Sequence, residues 1–334
     1  MEHAGSYQEI GITDIKGIKA GHAQDFQAGT GCTAIICEEG ACAGVDVGGG
    51  GPASRETDLL RPGNLVQAVH CIMLSGGSAY GLEAGSGAMQ YLEERGVGLP
   101  TRGGLVPIVC GASLFDLGVG DPRVRPDKAM GYEACKNAES GSEPAMGSVG
   151  AGTGATVGKL RGPDYMMKSG LGIYGLQLGR VQCAAIAAVN AFGDVIDYDT
   201  HRPLAGLLRP DKSGIGSTHR EMLKGLAAGE SAADNDFLAV QNTTLGVIVT
   251  NAKLTKAQCG RLARIAQDGY ARAIIPVHTS IDGDMIFVLA TGQVSVSQDA
   301  LGELASEVMA RAICRAAASA KPAFGLKAAC DFMP

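Results

Sequence analysis

Tryptophan is absent from this sequence, and aromatic residues of all kinds make up only 4% of its 334 residues. Also absent are an apolar run near the roughly 18 residues of a membrane-spanning helix and a basic N-terminal segment that leads into an apolar one. No cluster of Lys and Arg offers to bind nucleic-acid phosphates, and the net charge is -6. We therefore expect a cytoplasmic protein that binds neither membranes nor nucleic acid.

Paired metal-binding motifs are missing as well. The ten cysteines include no C-x-x-C pair and have no histidine partners nearby, so we expect reduced, mostly buried thiols rather than disulfides or a zinc site. His278 precedes Asp282 by four residues, but one such pair is weak evidence for a metal. We interpret His278 as a hydrogen-bonded structural residue and expect no cofactor.

Glycine is the residue in excess. The 50 glycines are about twice the usual ~7% share, so much of the chain must turn tightly or approach other backbone closely. Hydrophobic residues make up 46% of the chain, which is enough to bury a large core in one big domain or two ordinary ones.

Short apolar strands alternate with helical patterns, which is typical of an α/β protein. A capping box, Thr255 with Gln258, begins one predicted helix, and an Ala-rich helix is expected at about Asp299 to Ala318. Predicted apolar strands are Val181 to Val189, Leu245 to Val249 and Met285 to Ala290. The segment from His201 to Gln241 differs, because it mixes Pro, Gly, Ser and charge; we expect a flexible surface excursion there.

Two glycine-rich stretches imitate nucleotide-binding motifs. Gly48, Gly50 and Ala53 fit G-x-G-x-x-A after an apolar strand, but Pro52 stands where the phosphate-binding helix should begin. In "AGTGATVGKL", Leu160 replaces the hydroxyl residue that a P-loop uses to bind magnesium. We favour plain glycine-rich turns, and a nucleotide-dependent enzyme is kept as a lesser hypothesis that cofactor titration would test.

The stretch "VQNTTLGVIVTN" offers a different chemistry. A cut between Asn242 and Thr243 would leave a residue with both a hydroxyl nucleophile and an α-amine, whose pKa near 8 lets it act as the base. Before the cut, the same hydroxyl can attack the Asn242 carbonyl. On spacing alone the plainer interpretation is stronger, because Thr favours strands and Asn favours turns.

The whole chain resembles a family of self-processing peptidases. The motifs that carry the resemblance run from Gly21 to Gly292 in the expected order: "RETDLL", "LSGGSAYGLEA", "GAGTGATVGK", "KSGLG", "VNAFGDV", "NTTLGVIVTNAKLTK" and "RAIIPVHTSIDGD". The family includes L-aminopeptidase D-esterase/amidase, the β-peptidyl aminopeptidases and the 6-aminohexanoate-oligomer hydrolases. The resemblance implies one catalytic domain, 1–334, cut into an α chain (1–242) and a β chain (243–334), with 201–241 as the flexible segment before the cut.

The resemblance also implies a fold, an assembly and a set of site residues. The fold would be a four-layer α/β/β/α sandwich resembling the N-terminal nucleophile hydrolases with different connectivity, assembled as a homo-oligomer, often a tetramer. Thr243 matches the nucleophile and Asn190 the amide that stabilises the oxyanion. The other matching residues are Tyr80 in the substrate pocket, the active-site lysine Lys159, and the acidic pair Asp282 and Asp284.

Each of these residues also has a structural interpretation. Without the family, Asn190 would open the "FGD" turn, Tyr80 would begin a helix and Lys159 would be a solvated loop residue. Alternation would put Asp282 and Asp284 on one face of a strand or turn, where they could hold the new ammonium group, or they would form an exposed turn.

Two departures from the family pattern bear on substrate. The typical aminopeptidases have a serine nucleophile, and they have Ser and Glu where this chain has Asp282 and Asp284. The Asn-Thr junction and the Asp-Gly-Asp sequence instead resemble the 6-aminohexanoate-oligomer hydrolases. We expect a threonine amidohydrolase acting on small peptides or peptide-like oligomers; the alternative is an inactive oligomeric binding protein of the same fold.

Overall fold

A computed structural model describes residues 7–229 and 242–332. The described strands are β1 (Tyr7–Ile10), β2 (Lys19–Asp25), β3 (Thr30–Val47), β4 (Ser54–Arg55), β5 (Val69–Ser75), β6 (Leu99–Thr101), β7 (Gly104–Val106), β8 (Val109–Ser113), β9 (Thr156–Val157), β10 (Met167–Lys168), β11 (Leu171–Leu178), β12 (Val181–Asn190), β13 (Asp194–Ile196), β14 (Pro203–Ala205), β15 (Thr243–Ala252), β16 (Ile274–Ile275) and β17 (Met285–Val294). The described helices are α1 (Ala84–Glu94), α2 (Lys128–Asn137), α3 (Thr218–Ala228), α4 (Lys256–Ala273) and α5 (Gln298–Ser319).

One long strand joins two sheets. The hydrogen-bonded order is β1-β11-β12-β15-β17-β3-β5-β8-β4, with β2 also paired to β3. The 18 residues of β3 pair with β2 and β5 along their first part and with β17 along their last part. We call the half containing β11, β12, β15 and β17 the C-terminal sheet, and the half containing β2, β5 and β8 the N-terminal sheet.

The two sheets face each other and each carries helices on its outer side. Helices α4 and α5 pack on the C-terminal sheet, and α1 and α2 pack on the N-terminal sheet. A third buried cluster lies between the sheets and draws on the inner faces of both. The order of layers is therefore helices, C-terminal sheet, N-terminal sheet and helices, and the expected α/β/β/α sandwich is confirmed.

Strand β15 lies in the middle of the C-terminal sheet, antiparallel to β12 and parallel to β17. Leu245, Val247 and Val249 contribute to the core between the sheets, whereas Ile248 contributes to the core under α4 and α5. Because side chains alternate along a strand, Thr243 faces the space between the sheets. All ten residues of β15 are buried, so its first residue is held rigidly.

The predicted elements are confirmed at these positions. Helix α4 begins with the expected capping box, in which Thr255 and Gln258 bond each other's backbone. Helix α5 and strands β12, β15 and β17 cover the predicted ranges and extend them by up to a few residues. Of the segment 201–241, residues 201–229 contain β14 and the 11-residue helix α3; the rest lies outside the described residues.

The expectations for the cysteines and for the turn after β3 are also met. All ten cysteines are free thiols, and seven of them are buried. Ala53 is followed by β4 rather than by a helix, as a plain glycine-rich turn predicts. Over the described ranges, no helix is both long and apolar enough to cross a membrane.

Candidate active site

The Asn242–Thr243 peptide lies at the buried start of β15. Thr243 is 4% exposed, and its hydroxyl donates to the carbonyl oxygen of Asn242 at 2.5 Å. The same carbonyl oxygen accepts the backbone N–H of Gly283 at 2.7 Å. The bond proposed for cleavage therefore has a hydroxyl beside its carbonyl and a second donor on its oxygen.

Asn190 is the last residue of β12 and the cross-strand partner of Thr243. Its Nδ2 donates to the Phe115 carbonyl at 2.8 Å. Its Oδ1 accepts from Lys159 Nζ at 2.7 Å and from the Thr156 backbone N–H at 3.0 Å. The amide is thus held from both ends, and Nδ2 carries a second hydrogen beyond the one given to Phe115.

Lys159 is a buried residue rather than a solvated loop lysine, at 4% exposure. Its Nζ also donates to the Asn190 carbonyl at 3.1 Å. Burial lowers the pKa of Lys159 to about 7, although the carboxylates of Asp282 and Asp116 act in the opposite direction. Near neutral pH this amine therefore exists in both protonation states.

Asp282 is buried beside the Asn242–Thr243 peptide, because Asn242 and Asp282 form an isolated parallel β-bridge. Its carboxylate accepts the Phe192 N–H at 3.2 Å and both the N–H and the hydroxyl of Thr279. Burial, followed by the charge of Asp284, raises the pKa of Asp282 to about 6.

Asp284 faces different partners from Asp282. It accepts the Thr244 N–H at 2.8 Å, immediately after the candidate nucleophile, and binds His278 Nδ1 at 2.9 Å. Burial opposes protonation of His278, but the hydrogen bond and charge of Asp284 outweigh it, so the pKa of His278 is raised. This confirms His278 as a hydrogen-bonded residue, and it places the histidine against the acidic pair.

The glycine-rich turn after β3 supports this acidic pair, a role that the sequence analysis missed. Gly48 and Gly49 donate to the Asp284 carbonyl at 2.9 and 3.2 Å, and Gly51 donates to the Asp282 carbonyl at 2.8 Å. A Cβ on Gly49 would lie 2.3 Å from the Asp282 carbonyl oxygen. The signal was present in the sequence, since adjacent glycines indicate close backbone approach, but not what they approach.

Tyr80 lies beside the cluster rather than within it. The residue is 60% exposed, and the Arg125 guanidinium lies 3.8 Å from the centre of its ring. The turn that carries it meets the loop of Phe115, because the Ser78 N–H donates to the Leu114 carbonyl at 2.9 Å. The structure therefore brings together Thr243, Asn190, Lys159, Asp282 and Asp284, with Tyr80 exposed on a neighbouring turn.

Within residues 7–229 and 242–332, no group of three or more His, Cys, Asp or Glu side chains could hold an ion. The acidic pair is instead occupied by backbone N–H groups, a hydroxyl and His278.

Comparison with known proteins agrees with the resemblance. A family model described as "Peptidase family S58" matches residues 11–330. An uncharacterized aminopeptidase from Mycobacterium leprae is 39% identical, over 97% of this chain and 94% of its own. A 6-aminohexanoate-oligomer endohydrolase from Kocuria sp. is 31% identical, over 91% of this chain and 85% of its own.

The fold also has a solved counterpart. The structure of L-aminopeptidase D-Ala-esterase/amidase from Ochrobactrum anthropi, described as a variant of the Ntn hydrolase fold, matches with a TM-score of 0.69. The match covers 96% of this chain and 89% of that chain at 17% sequence identity. The chain therefore shares the fold of this variant of the Ntn hydrolase fold, in agreement with the expected resemblance to N-terminal nucleophile hydrolases with different connectivity.

Proposed function

The chain belongs to peptidase family S58, and on this premise we propose that it cuts its own backbone between Asn242 and Thr243. Thr243 then serves as an N-terminal nucleophile that hydrolyses amide bonds. The products of the cut are an α chain, 1–242, and a β chain, 243–334, which stay together because β15 and β17 are central strands of the C-terminal sheet.

The geometry at Asn242 is the observation that carries this proposal. The Thr243 oxygen attacks the Asn242 carbonyl carbon, and the Gly283 N–H, already 2.7 Å from the carbonyl oxygen, stabilises the negative charge that develops there. The C–N bond breaks, the nitrogen takes up the hydroxyl proton, and an ester joins Asn242 to the Thr243 oxygen. Water hydrolyses this ester and leaves Thr243 with a free α-amine.

In the mature enzyme the same atoms act on substrate. The α-amine, with an ordinary pKa near 8, takes the hydroxyl proton of Thr243 as the oxygen attacks the substrate carbonyl. Asn190, the partner of Thr243 on the neighbouring strand β12, donates its second Nδ2 hydrogen to the oxyanion. The α-ammonium passes the hydroxyl proton to the leaving nitrogen, the substrate C–N bond breaks, and the amine product departs from an acyl group joined to the Thr243 oxygen. Water then hydrolyses this ester and frees the hydroxyl. Asp282 and Asp284 favour the protonated α-amine between these steps.

Small peptides or peptide-like oligomers are the proposed substrates. Family S58 supports amide chemistry, and the named relatives comprise both aminopeptidases and a hydrolase of 6-aminohexanoate oligomers. The Asn-Thr junction favours the second kind of substrate. We further propose a cytoplasmic homo-oligomer, a tetramer by resemblance to the family. Tyr80 is retained as a pocket residue because it is exposed beside the cluster, with the Arg125 guanidinium over its ring.

Two threonine variants and a matched control test the self-cleavage. Thr243→Ala should stay a single inactive chain, whereas Thr243→Ser keeps a hydroxyl and should still be cut. Thr244→Val removes the neighbouring hydroxyl, which is buried without a hydrogen-bond partner in the structure, and should be cut like the wild type. Intact mass spectrometry reads all three; efficient cleavage of Thr243→Ala would refute the assignment and favour an inactive binding protein.

A further inference from the structure

The orientation of the Asn190 amide depends on Lys159 Nζ, which donates to Oδ1, and on two backbone groups from separate segments, the loop of Phe115 and the short strand β9. The Phe115 carbonyl receives Nδ2 and the Thr156 N–H donates to Oδ1. A side-chain amide has two nearly equivalent orientations about its last bond, and only the hydrogen-bond network chooses between them. The loop of Phe115 and strand β9 must therefore both be held in place if Nδ2 is to face an oxyanion.

A buried carboxylate holds the first loop. Asp116 follows Phe115 directly and is 3% exposed. It accepts the Thr30 hydroxyl and the Gly77 N–H, each at 2.7 Å. Gly77 begins the turn that carries Tyr80, so this one carboxylate ties the Asn190 support to the proposed pocket wall.

A buried ammonium holds strand β9 and the residues before it. Lys168 is fully buried, and its Nζ donates to the carbonyls of Ala155 at 2.9 Å, Ser169 at 2.8 Å and Gly152 at 3.4 Å. Ala155 precedes Thr156, the residue that donates to Asn190, and Lys168 pairs with Thr156 in the sheet. Lys168 thus holds Thr156, whose N–H donates to Asn190 Oδ1, both through the preceding carbonyl of Ala155 and through the β9–β10 pairing.

The two charges also lie near each other. Burial raises the pKa of Asp116 to about 6, with the Lys168 charge opposing the rise, and burial lowers the pKa of Lys168 to about 7. The segment before β9 packs closely against the Asp116 loop at Gly154, where an added Cβ would lie 2.6 Å from the Asp116 Cβ. Burying two charged groups is a costly way to fill a core, so stability alone is a poor explanation for them.

We propose that Asp116 and Lys168 are positioning residues for amide hydrolysis, which together fix the Asn190 amide so that Nδ2 meets the oxyanion. The inference rests on the function proposed above. It assigns a role to two buried residues that neither form the nucleophile nor touch its hydroxyl, and it joins the placement of Asn190 to that of the Tyr80 turn.

The chain offers a matched control for Lys168. Lys256 is also buried, at 5% exposure, and its Nζ donates to three backbone carbonyls, those of Leu59, Asn64 and Val66, at 2.8 to 3.0 Å. It supports a loop against α4, away from Asn190. Lys168→Met and Lys256→Met therefore remove the same kind of buried ammonium, and differ in which loop is released.

Steady-state kinetics on the processed protein, with an aminoacyl p-nitroanilide and a short 6-aminohexanoate oligomer as probes, separate the two roles. Lys168→Met should lower kcat by about 10- to 100-fold, because a displaced oxyanion donor acts in the transition state, and should change KM less than about threefold. Lys256→Met should lower the melting temperature without changing kcat. Rates are expressed per cut chain, so slower processing does not count as lost turnover.

Asp116→Asn provides a second variant that preserves size and one acceptor oxygen while removing the charge, and it decides the matter if Lys168→Met does not fold. It should lower kcat at least about tenfold with little change in KM. If the wild type is active but the variants that fold have an unchanged kcat, the inference is overturned while the proposed function stands. The same holds if Lys256→Met lowers kcat as much as Lys168→Met does. A wild type inactive on both probes would remove the proposed function, and the inference with it.

Discussion

Gly283→Ala should block the self-cleavage by displacing the nucleophile. A Cβ at this position would lie 2.5 Å from Thr243 Oγ1 and 2.8 Å from the Gly51 carbonyl oxygen. Ordinary contacts between carbon and oxygen begin at about 3.3 Å, so the hydroxyl or the loop must move by roughly 0.8 Å. Gly283 is not among the residues with a left-handed backbone, so the contact itself is the expected cause of any effect.

The expected magnitude follows from this displacement. Misplacing a reacting group by about 1 Å can cost on the order of 100-fold in rate. The same substitution also shifts the N–H that bonds the Asn242 carbonyl. We therefore expect self-cleavage of Gly283→Ala to be slower by about 100-fold or more, followed as the fraction of cut chain over time by intact mass spectrometry.

Gly260→Ala is the control for this experiment. Gly260 lies within α4, and no heavy atom lies within 4 Å of an added Cβ. It should be cut at the wild-type rate and be stabilised by about 0.5 to 1 kcal/mol, since alanine favours a helix. If Gly283→Ala folds, as judged by circular dichroism, and is cut as fast as Gly260→Ala, the proposed geometry of the nucleophile is refuted.

Three further predictions concern the residues around the nucleophile. Asn190→Ala should lower kcat by about 100-fold while changing KM little, and an unchanged turnover rate would remove Asn190 from the site. Because burial lowers the pKa of Lys168 to about 7, the unfolded chain binds more protons above that pH; stability from this group should rise by about 1 kcal/mol per pH unit toward pH 9. Urea denaturation should show a shallower rise in Lys168→Met than in the wild type, because Lys159, whose pKa burial also lowers to about 7, still contributes in the variant; equal slopes would contradict the prediction. Asp284→Asn should lower the pKa of His278, which its carboxylate raises, and an NMR titration without a shift would contradict the assignment.

Local patterns predicted the elements well because their causes are local. The Thr255 and Gln258 capping box marks the start of α4, and the apolar run after Thr243 becomes a strand with both faces covered. Helix α3 was harder to predict, because its exposed apolar residues and short length resemble the polar segment around it. Its Ser217 cap and Gly229 end are visible in the sequence only once a helix is suspected.

The site was predictable only in part, since most of its contacts join distant parts of the chain. Chemistry pointed to Thr243, but the pairing with Asn190 depends on the register between β12 and β15. No periodicity indicates that Gly283 meets the Asn242 carbonyl, or that Gly49 packs against the acidic loop. Asp116 lies in none of the quoted motifs, and although Lys168 begins "KSGLG", only the fold brings the two residues to the supports of Asn190.

The most direct test of the account is the N-terminal sequence and intact mass of the freshly purified protein. Self-cleavage between Asn242 and Thr243 predicts two chains, the smaller of which begins Thr-Thr-Leu-Gly and ends at Pro334. A single chain that stays uncut for days, or a cut at another peptide bond, would contradict the assignment of Thr243 as an N-terminal nucleophile.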